Sequence, residues 1–206
     1  MLSSHDVFSI AVQHGRTYEQ FMDIMHHNAL LAENPPDDLS HEAQNHLLHV
    51  PMNVTRTKRI HKTYTVGENL RSILCSLHTP QTWVIITEDW CGDSAQNVPY
   101  IVMMAQVCPD NIRLLILPRD TYPDVIDSYL TNGTRSIPIM IGFHASGEQI
   151  FRWGPRPAEA QAVMLAKKSE GVQREEMIEA VHKWYSTNRG KSLEREMIEM
   201  LRPFSS

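Results

Sequence analysis

The hydrophobic pattern begins with a helical region. Between residues 17 and 33 apolar side chains recur at roughly helical spacing and Thr17 is a suitable N-cap, so an amphipathic helix is predicted there. Prolines at 35 and 36 end it, because proline donates no backbone hydrogen bond. A second helix is predicted from near Ser40 to the basic cluster of Arg56, Lys58 and Arg59, with a kink or boundary at Pro51. Residues 1–62 are therefore interpreted as an N-terminal helical extension.

From residue 64 onward helical patterns alternate with short apolar runs. Helices are predicted over residues 68–77, 91–108 and 123–130, the last closed by Asn132-Gly133 as a C-cap. Strands are predicted over residues 83–87, 112–117, 137–143 and 149–153, and the last two are joined by a hairpin turn at Gly147. The continuous apolar run at 83–87 is typical of a strand covered on both faces. This order predicts an α/β fold, a mixed sheet flanked by helices.

The end of the chain is again helical. Pro157 suits the first position of a helix, and residues 172–185 form a further predicted helix. After Gly190 a short helix over residues 193–201 presents an apolar row of Leu193, Met197 and Leu201. Residues 187–206 are interpreted as a C-terminal helical tail.

Composition and charge narrow the class of protein. The chain has 206 residues, 42% hydrophobic and 21% charged, which is the mix of a folded soluble domain. Its net charge of -5, with no long basic run, argues against nucleic acid as a partner. No stretch is long and apolar enough to span a membrane, and the N-terminus lacks the basic region of a signal peptide. Three cysteines leave at least one free thiol, which favours a reducing, cytoplasmic location.

The candidate chemistry lies where the first buried strand leads into a helix. Cys91 opens that helix, and the unpaired N–H groups of a helix N-terminus favour a thiolate. We therefore expect a nucleophilic Cys91 with a pKa below the free value of about 8.5. Asp93 opposes ionisation, but an exposed carboxylate is screened by water and should have the smaller effect. The alternative is a buried structural cysteine.

Two segments resemble the thioredoxin superfamily. Trp90-Cys91-Gly92-Asp93-Ser94 resembles the thioredoxin motif WCGPC, and Arg135-Ser136-Ile137-Pro138-Ile139 resembles the segment that holds that fold's cis-proline. The WCGD form and the later Trp153-Gly154-Pro155-Arg156-Pro157 are similar to a group of bacterial thioredoxin-like proteins. The resemblance covers roughly residues 64–186. It implies a thioredoxin-like domain over residues 63–186, with the helical extension before it and the tail after it.

Three departures from the thioredoxin pattern change the expected chemistry. Ser94 replaces the second cysteine, so turnover needs an external thiol. Asp93 replaces the motif proline and puts a carboxylate beside the sulfur. Ile85 stands where thioredoxins keep a buried carboxylate for proton transfer. Cys108 lies too far along the predicted helix to pair with Cys91, and Cys75 is interpreted as a small buried hydrophobic residue.

The resemblance implies a monothiol thiol–disulfide oxidoreductase that acts on a protein or low-molecular-weight thiol. Cys91 would attack the mixed disulfide, Ser94 would hydrogen-bond the thiolate, and Pro138 would frame the substrate. Five further residues are assigned to substrate binding: Trp90, Gly92, Asp93, Ile137 and Arg156. No metal or other cofactor is expected, because the eleven histidines match no metal-ligand motif.

An alternative from a different class stays open. A binding module would keep the thioredoxin groove for peptides and would have lost turnover with its second cysteine. Ser94 and Ile85 favour the module, whereas Trp90, Cys91 and Pro138 favour catalysis. The sequence therefore leaves open whether the protein is an enzyme, and its oligomeric state is not predicted.

Overall fold

A computed structural model describes residues 1–205. Its helices are α1 (Ser4–His14), α2 (Tyr18–Leu31), α3 (His41–Thr63), α4 (Glu68–Cys75), α5 (Gly92–Ala105), α6 (Pro123–Asp127), α7 (Ala158–Ser169), α8 (Arg174–Asn188) and α9 (Lys191–Leu201), followed by a 3₁₀ turn at Arg202–Phe204. Its strands are β1 (Gln81–Thr87), β2 (Ile112–Pro118), β3 (Ile139–His144) and β4 (Gln149–Trp153).

The four strands form one mixed sheet in the order β2-β1-β3-β4. β1 runs parallel to β2, with Ile85 opposite Ile116, and antiparallel to β3, with Ile85 opposite Met140. β4 returns antiparallel to β3 through the predicted hairpin. The sheet and its flanking helices confirm the predicted fold class.

Alternate residues of β1 face two separate cores, as the period of a strand requires. Trp83 and Ile85 face the larger core, which α2, α3, α4, α5 and α9 cover. Val84 and Ile86 face a smaller core that α1 and α6 cover. All seven β1 residues are consequently buried.

The N-terminal helices pack on the sheet and on α5. Phe21 and Met25 of α2 and Val50 and Val54 of α3 belong to the larger core, so the extension shares the core of the rest of the chain. α1 was not predicted from the sequence, although its Ser3–Asp6 capping box is a recognisable start signal.

Pro51 is not a helix boundary, and α6 is shorter than predicted. α3 runs unbroken through Pro51, because residues on both sides of it, such as Val50 and Val54, are buried and hold the helix in place. α6 ends at Asp127, well before residue 130. Asn132 and Gly133 both have positive φ and form a tight turn between Thr131 and Thr134, so they do not cap the helix.

The C-terminal helices take different positions. α8 packs against α7, whereas α9 packs against α4. The apolar row of Leu193, Met197 and Leu201 is fully buried in the larger core.

Cys75 and Cys108 form a disulfide, with their Cα atoms 5.4 Å apart. Cys75 is the last residue of α4, is solvent-exposed, and lies where Cys108 follows the end of α5. The interpretation of Cys75 as a buried hydrophobic residue was therefore wrong. Within residues 1–205, no helix has the length and apolar character needed to cross a bilayer.

Candidate active site around Cys91

Cys91 lies at the junction between β1 and α5. The strand ends at Thr87, a short turn follows, and Cys91 is the N-cap of the 14-residue helix α5. Its Sγ donates a hydrogen bond to the backbone carbonyl oxygen of Ile137, 3.4 Å away. Only 8% of the residue is exposed. The thiol thus lies buried against the loop that leads into β3.

Burial raises the pKa of the Cys91 thiol to about 11, and the charge of Asp93 adds to this effect. Hydrogen bonds from Ser94 and from the backbone N–H groups of residues 93 and 94 lower the pKa, but by less than burial and Asp93 raise it. The expectation of a pKa below 8.5 was wrong, because it neglected the desolvation of the thiolate and treated Asp93 as exposed, whereas the Asp93 side chain is largely buried.

Ser94 is part of a short chain of hydroxyl groups behind the thiol. Thr87 Oγ1, at the end of β1, donates to Ser94 Oγ over 2.6 Å, and both residues are buried. With its oxygen already accepting from Thr87, the Ser94 hydroxyl has its proton free for the Cys91 sulfur. Thr87 therefore positions Ser94, a role that its place in an apolar run did not reveal.

Asp93 is held by groups from distant parts of the chain. Its Oδ2 accepts from Nε of Arg156 at 3.1 Å and also forms an ion pair with Nη2 of that residue. Its Oδ1 accepts from the Tyr185 hydroxyl at 2.8 Å, and Asn97 donates to the same hydroxyl at 2.9 Å. Burial raises the pKa of Asp93, and the hydrogen bonds from Arg156 and Tyr185 lower it again in part. Asp93 thus joins α5 to α8 and to the segment after β4.

Gly92 lies against two side chains of other helices. A Cβ atom at this position would lie 3.0 Å from Cε1 of His182 on α8 and 3.4 Å from Nη1 of Arg56 on α3. Nδ1 of His182 is buried without a hydrogen-bond partner in the described structure. Burial and the two guanidinium groups of Arg56 and Arg156 lower the pKa of His182 to about 4. The imidazole is therefore neutral at physiological pH.

Pro138 follows Ile137 through a cis peptide bond, and the Gly154–Pro155 bond is also cis. Gly154 has φ of +115°, and a side chain there would collide with the carbonyl oxygen of Pro138. Trp153, just before it, donates from Nε1 to Glu196 on α9 over 2.7 Å. Gly154 thus packs directly against Pro138, and Trp153 ties the same segment to α9.

Trp90 is half-buried at the edge of the site. The His46 ring stacks on it with a centroid distance of 4.1 Å, and the Arg119 guanidinium lies 4.7 Å from its ring centre. Asn53 of α3 donates to the carbonyl oxygen of Asp89, the residue before Trp90, over 2.8 Å. The N-terminal extension thus forms one side of the site.

The structure brings the eight predicted site residues together, with altered roles for two of them. Arg156 is engaged by Asp93 and does not present a free guanidinium. Ile137 is 4% exposed, and its carbonyl already accepts from the thiol. The sequence analysis missed four partners: Arg56, Thr87, His182 and Tyr185. No group of three or more potential metal ligands occurs among residues 1–205.

Comparison with known proteins places this site in context. A sequence profile described as thioredoxin matches residues 41–177. A crystal structure of a protein of unknown function from Pseudomonas aeruginosa is similar with a TM-score of 0.61 and 14% identity, over 98% of this chain and 99% of that one. An HIV epitope-scaffold is similar with a TM-score of 0.59 and 15% identity, over the same shares. No curated protein matches the sequence significantly.

Proposed function

Since the chain belongs to the thioredoxin family, we propose that it is a monothiol thiol–disulfide oxidoreductase that acts through Cys91. The observation that carries the proposal is the position of the sulfur. Cys91 Sγ lies at the N-terminus of α5 and contacts the backbone of Ile137, next to Pro138. A disulfide-bonded polypeptide that reaches Cys91 therefore finds the sulfur next to a backbone hydrogen-bond acceptor, the Ile137 carbonyl oxygen. We further propose that the protein works in the cytoplasm of a bacterium.

The exchange takes two balanced steps. The Cys91 thiolate attacks one sulfur of a mixed disulfide, a new disulfide to Cys91 forms, and the other sulfur leaves as a thiolate that takes up a proton. The thiolate of an external thiol such as glutathione then attacks the other sulfur of this new disulfide. Cys91 leaves as a thiolate, and the substrate half departs in a disulfide with the external thiol. Ser94 replaces the resolving cysteine, so this second thiol is required for turnover.

The surrounding residues have definable parts in this scheme. Ser94, oriented by Thr87, stabilises the thiolate by hydrogen bonding, and the α5 N-terminus adds its backbone N–H groups. The pKa of about 11 leaves little thiolate at neutral pH, so the reaction is slow in the free protein and accelerates with rising pH.

The burial of the thiol favours a second candidate function. A protonated, buried Cys91 fits a module that binds peptides against the Pro138 loop without exchange. In that case the sulfur is a packing and hydrogen-bonding group only.

Mass spectrometry and kinetics separate the two functions. The native protein is incubated with oxidised glutathione at pH 8.5 and the adduct is located by peptide mapping. Reduction of the mixed disulfide of glutathione and 2-mercaptoethanol is then followed with glutathione as reductant. We expect a glutathionyl group on Cys91, its release by glutathione, and loss of reduction in Cys91→Ser.

Ser94→Cys is the informative second variant. A thiol at position 94 should resolve the adduct within the chain, so the glutathionyl group should no longer accumulate on Cys91. Equal reduction rates for the wild type and Cys91→Ser, or a native protein that forms no adduct, would instead support the binding module.

A further inference from the structure

A cleft of about 290 Å³ opens beside Trp90, on the side of the site formed by the N-terminal helices. Its volume is near the lower end of ordinary ligand pockets, which begin at about 300 Å³. Its walls come from α2, α3 and the loop between them. They are mostly apolar, from Leu31, Pro36, Leu39, Ala43, Leu47 and Val50, and Asn28 and His46 also line them. Its floor consists of Glu88, Asp89 and Trp90, the three residues before Cys91.

The two acidic residues of this floor are held in place by hydrogen bonds, and the basic groups that act on their charges are Arg119 for Glu88 and His46 for Asp89. Asp89 accepts from Nδ2 of Asn28 on α2 at 2.7 Å, and Glu88 accepts from the backbone N–H of Asp120 at 2.7 Å. Neither carboxylate forms a salt bridge with any residue from 1 to 205. Burial raises the pKa of Asp89 and raises the pKa of Glu88 to about 7. A cation bound at the floor therefore favours the ionised form of these two carboxyl groups, and an anion there opposes it.

The chain segment that supplies the walls of the cleft also carries negative charge. No lysine or arginine occurs between Arg16 and Arg56, whereas this stretch contains six acidic residues: Glu19, Asp23, Glu33, Asp37, Asp38 and Glu42. Asp37 and Asp38 are exposed and lie between two lining residues of the loop. The basic groups near Trp90 are His46 and Arg119, and Arg119 is paired with Asp120. The field at the cleft therefore attracts positive charge.

We infer that this cleft takes the side chain of a lysine or arginine of the polypeptide that approaches Cys91. The apolar walls contact the methylene groups of such a side chain, and the acidic floor and the negatively charged wall segment attract its charged end. The cleft holds about one side chain and adjoins the cysteine through Trp90, so the rest of the bound chain lies toward Cys91. The inference rests on the proposed function for the exchange step, but binding itself does not need a reactive thiol.

The experiment uses the full chain with Cys91→Ser, so that no covalent adduct forms. Three pools of hexapeptides with blocked termini are used. Each pool has one fixed position, which is lysine, norleucine or glutamate, and random residues at the other five. Binding is followed at low ionic strength through the NMR signals of the Trp90 indole and of the amides of residues 43–47. We expect shifts with the lysine pool, weaker shifts with norleucine and none with glutamate, and we expect added salt to weaken the lysine shifts.

Variants test the location. Asp37→Asn with Asp38→Asn should weaken lysine-pool binding about fivefold, which is the size of effect that exposed ion pairs have on binding free energy. The matched control, Asp110→Asn with Glu148→Gln, removes the same charge from exposed positions elsewhere and should leave binding unchanged. Ala43→Phe should fill the cleft and abolish the shifts.

Equal binding of the lysine and glutamate pools, or lysine binding that survives Ala43→Phe in a folded protein, would overturn the inference. The proposed function fails separately, when Cys91 of the wild type forms no glutathionyl adduct. Lysine-pool binding to a protein with an unreactive Cys91 would therefore retain the cleft assignment and favour the binding module.

Discussion

Asp93 and Arg156 form an ion pair that joins the first turn of α5 to the segment after β4, and their side chains are only 14% and 16% exposed. Arg156 was predicted from the sequence to bind substrate. In the structure a carboxylate of the protein itself occupies that guanidinium. The pair is therefore part of the scaffold around Cys91.

Removal of one partner from this pair should be costly. Arg156→Leu leaves the Asp93 carboxylate buried with only Tyr185 as a side-chain donor, and loss of one partner of a buried pair costs about 3–5 kcal/mol. We expect urea unfolding to show a loss in that range. Lys167→Leu is the control, because the Lys167–Glu170 pair is more exposed and should contribute less than about 1 kcal/mol. Similar losses in both variants would contradict a structural role for Arg156.

The reactivity of Cys91 should depend steeply on pH. With a pKa near 11, the thiolate fraction rises about tenfold per pH unit from pH 7 to pH 10, and the rate of iodoacetamide alkylation should follow it. Thr87→Val should slow alkylation further, because Ser94 loses the donor that orients it. Peptide mapping locates the modification at Cys91. A rate that levels off below pH 8.5 would show that the thiolate is far better stabilised than its burial indicates.

The same ionisation affects stability. The folded state holds the thiol proton more tightly than the unfolded chain does. Its contribution to the free energy of unfolding is therefore present below about pH 8.5 and is lost as the pH rises toward 11. The difference in stability between the wild type and Cys91→Ala should change over that interval. A difference that is flat from pH 7 to pH 11 would contradict the raised pKa.

The Cys75–Cys108 disulfide closes a loop with a sequence separation of 33. Loop-closure entropy of that length corresponds to about 3–4 kcal/mol, so Cys75→Ala with Cys108→Ala should lower the free energy of unfolding by about this amount. Dithiothreitol should destabilise the wild type and leave the double variant unchanged. If dithiothreitol destabilises both proteins equally, the disulfide is not the source of the effect.

Thiol labelling of the protein in cells would also test the predicted reducing location.

The N-terminal helices should be necessary for stability. Met25 on α2 is 2% exposed and Met52 on α3 is 56% exposed, which gives a matched pair. Met25→Ala should cost about 2–5 kcal/mol, whereas Met52→Ala should cost less than about 0.5 kcal/mol. A fragment of residues 63–206 should lack the full chain's melting transition. A fragment that melts at the temperature of the full chain would mean that the extension is independent.

Local patterns predicted the elements that carry the site. The buried strand before Cys91, the helix after it and the β3–β4 hairpin each depend on residues close in sequence. The pairing of Asp93 with Tyr185, 92 residues away, and of Cys75 with Cys108 depends on how helices pack, which periodicity does not encode. The pKa of Cys91 was mispredicted for the same reason, since burial is a property of the packed chain.

The hydrogen bond from Cys91 Sγ to the Ile137 carbonyl makes one acceptor serve two purposes. Only the protonated thiol can donate to it. A bound peptide whose N–H takes the place of the S–H group at this carbonyl would remove a contact that favours the protonated thiol. Ionisation of the thiol, in turn, frees the carbonyl for the peptide. Under the proposed function, backbone binding and the acidity of the thiol are then reciprocally linked, so a polypeptide that takes this carbonyl would lower the pKa of Cys91.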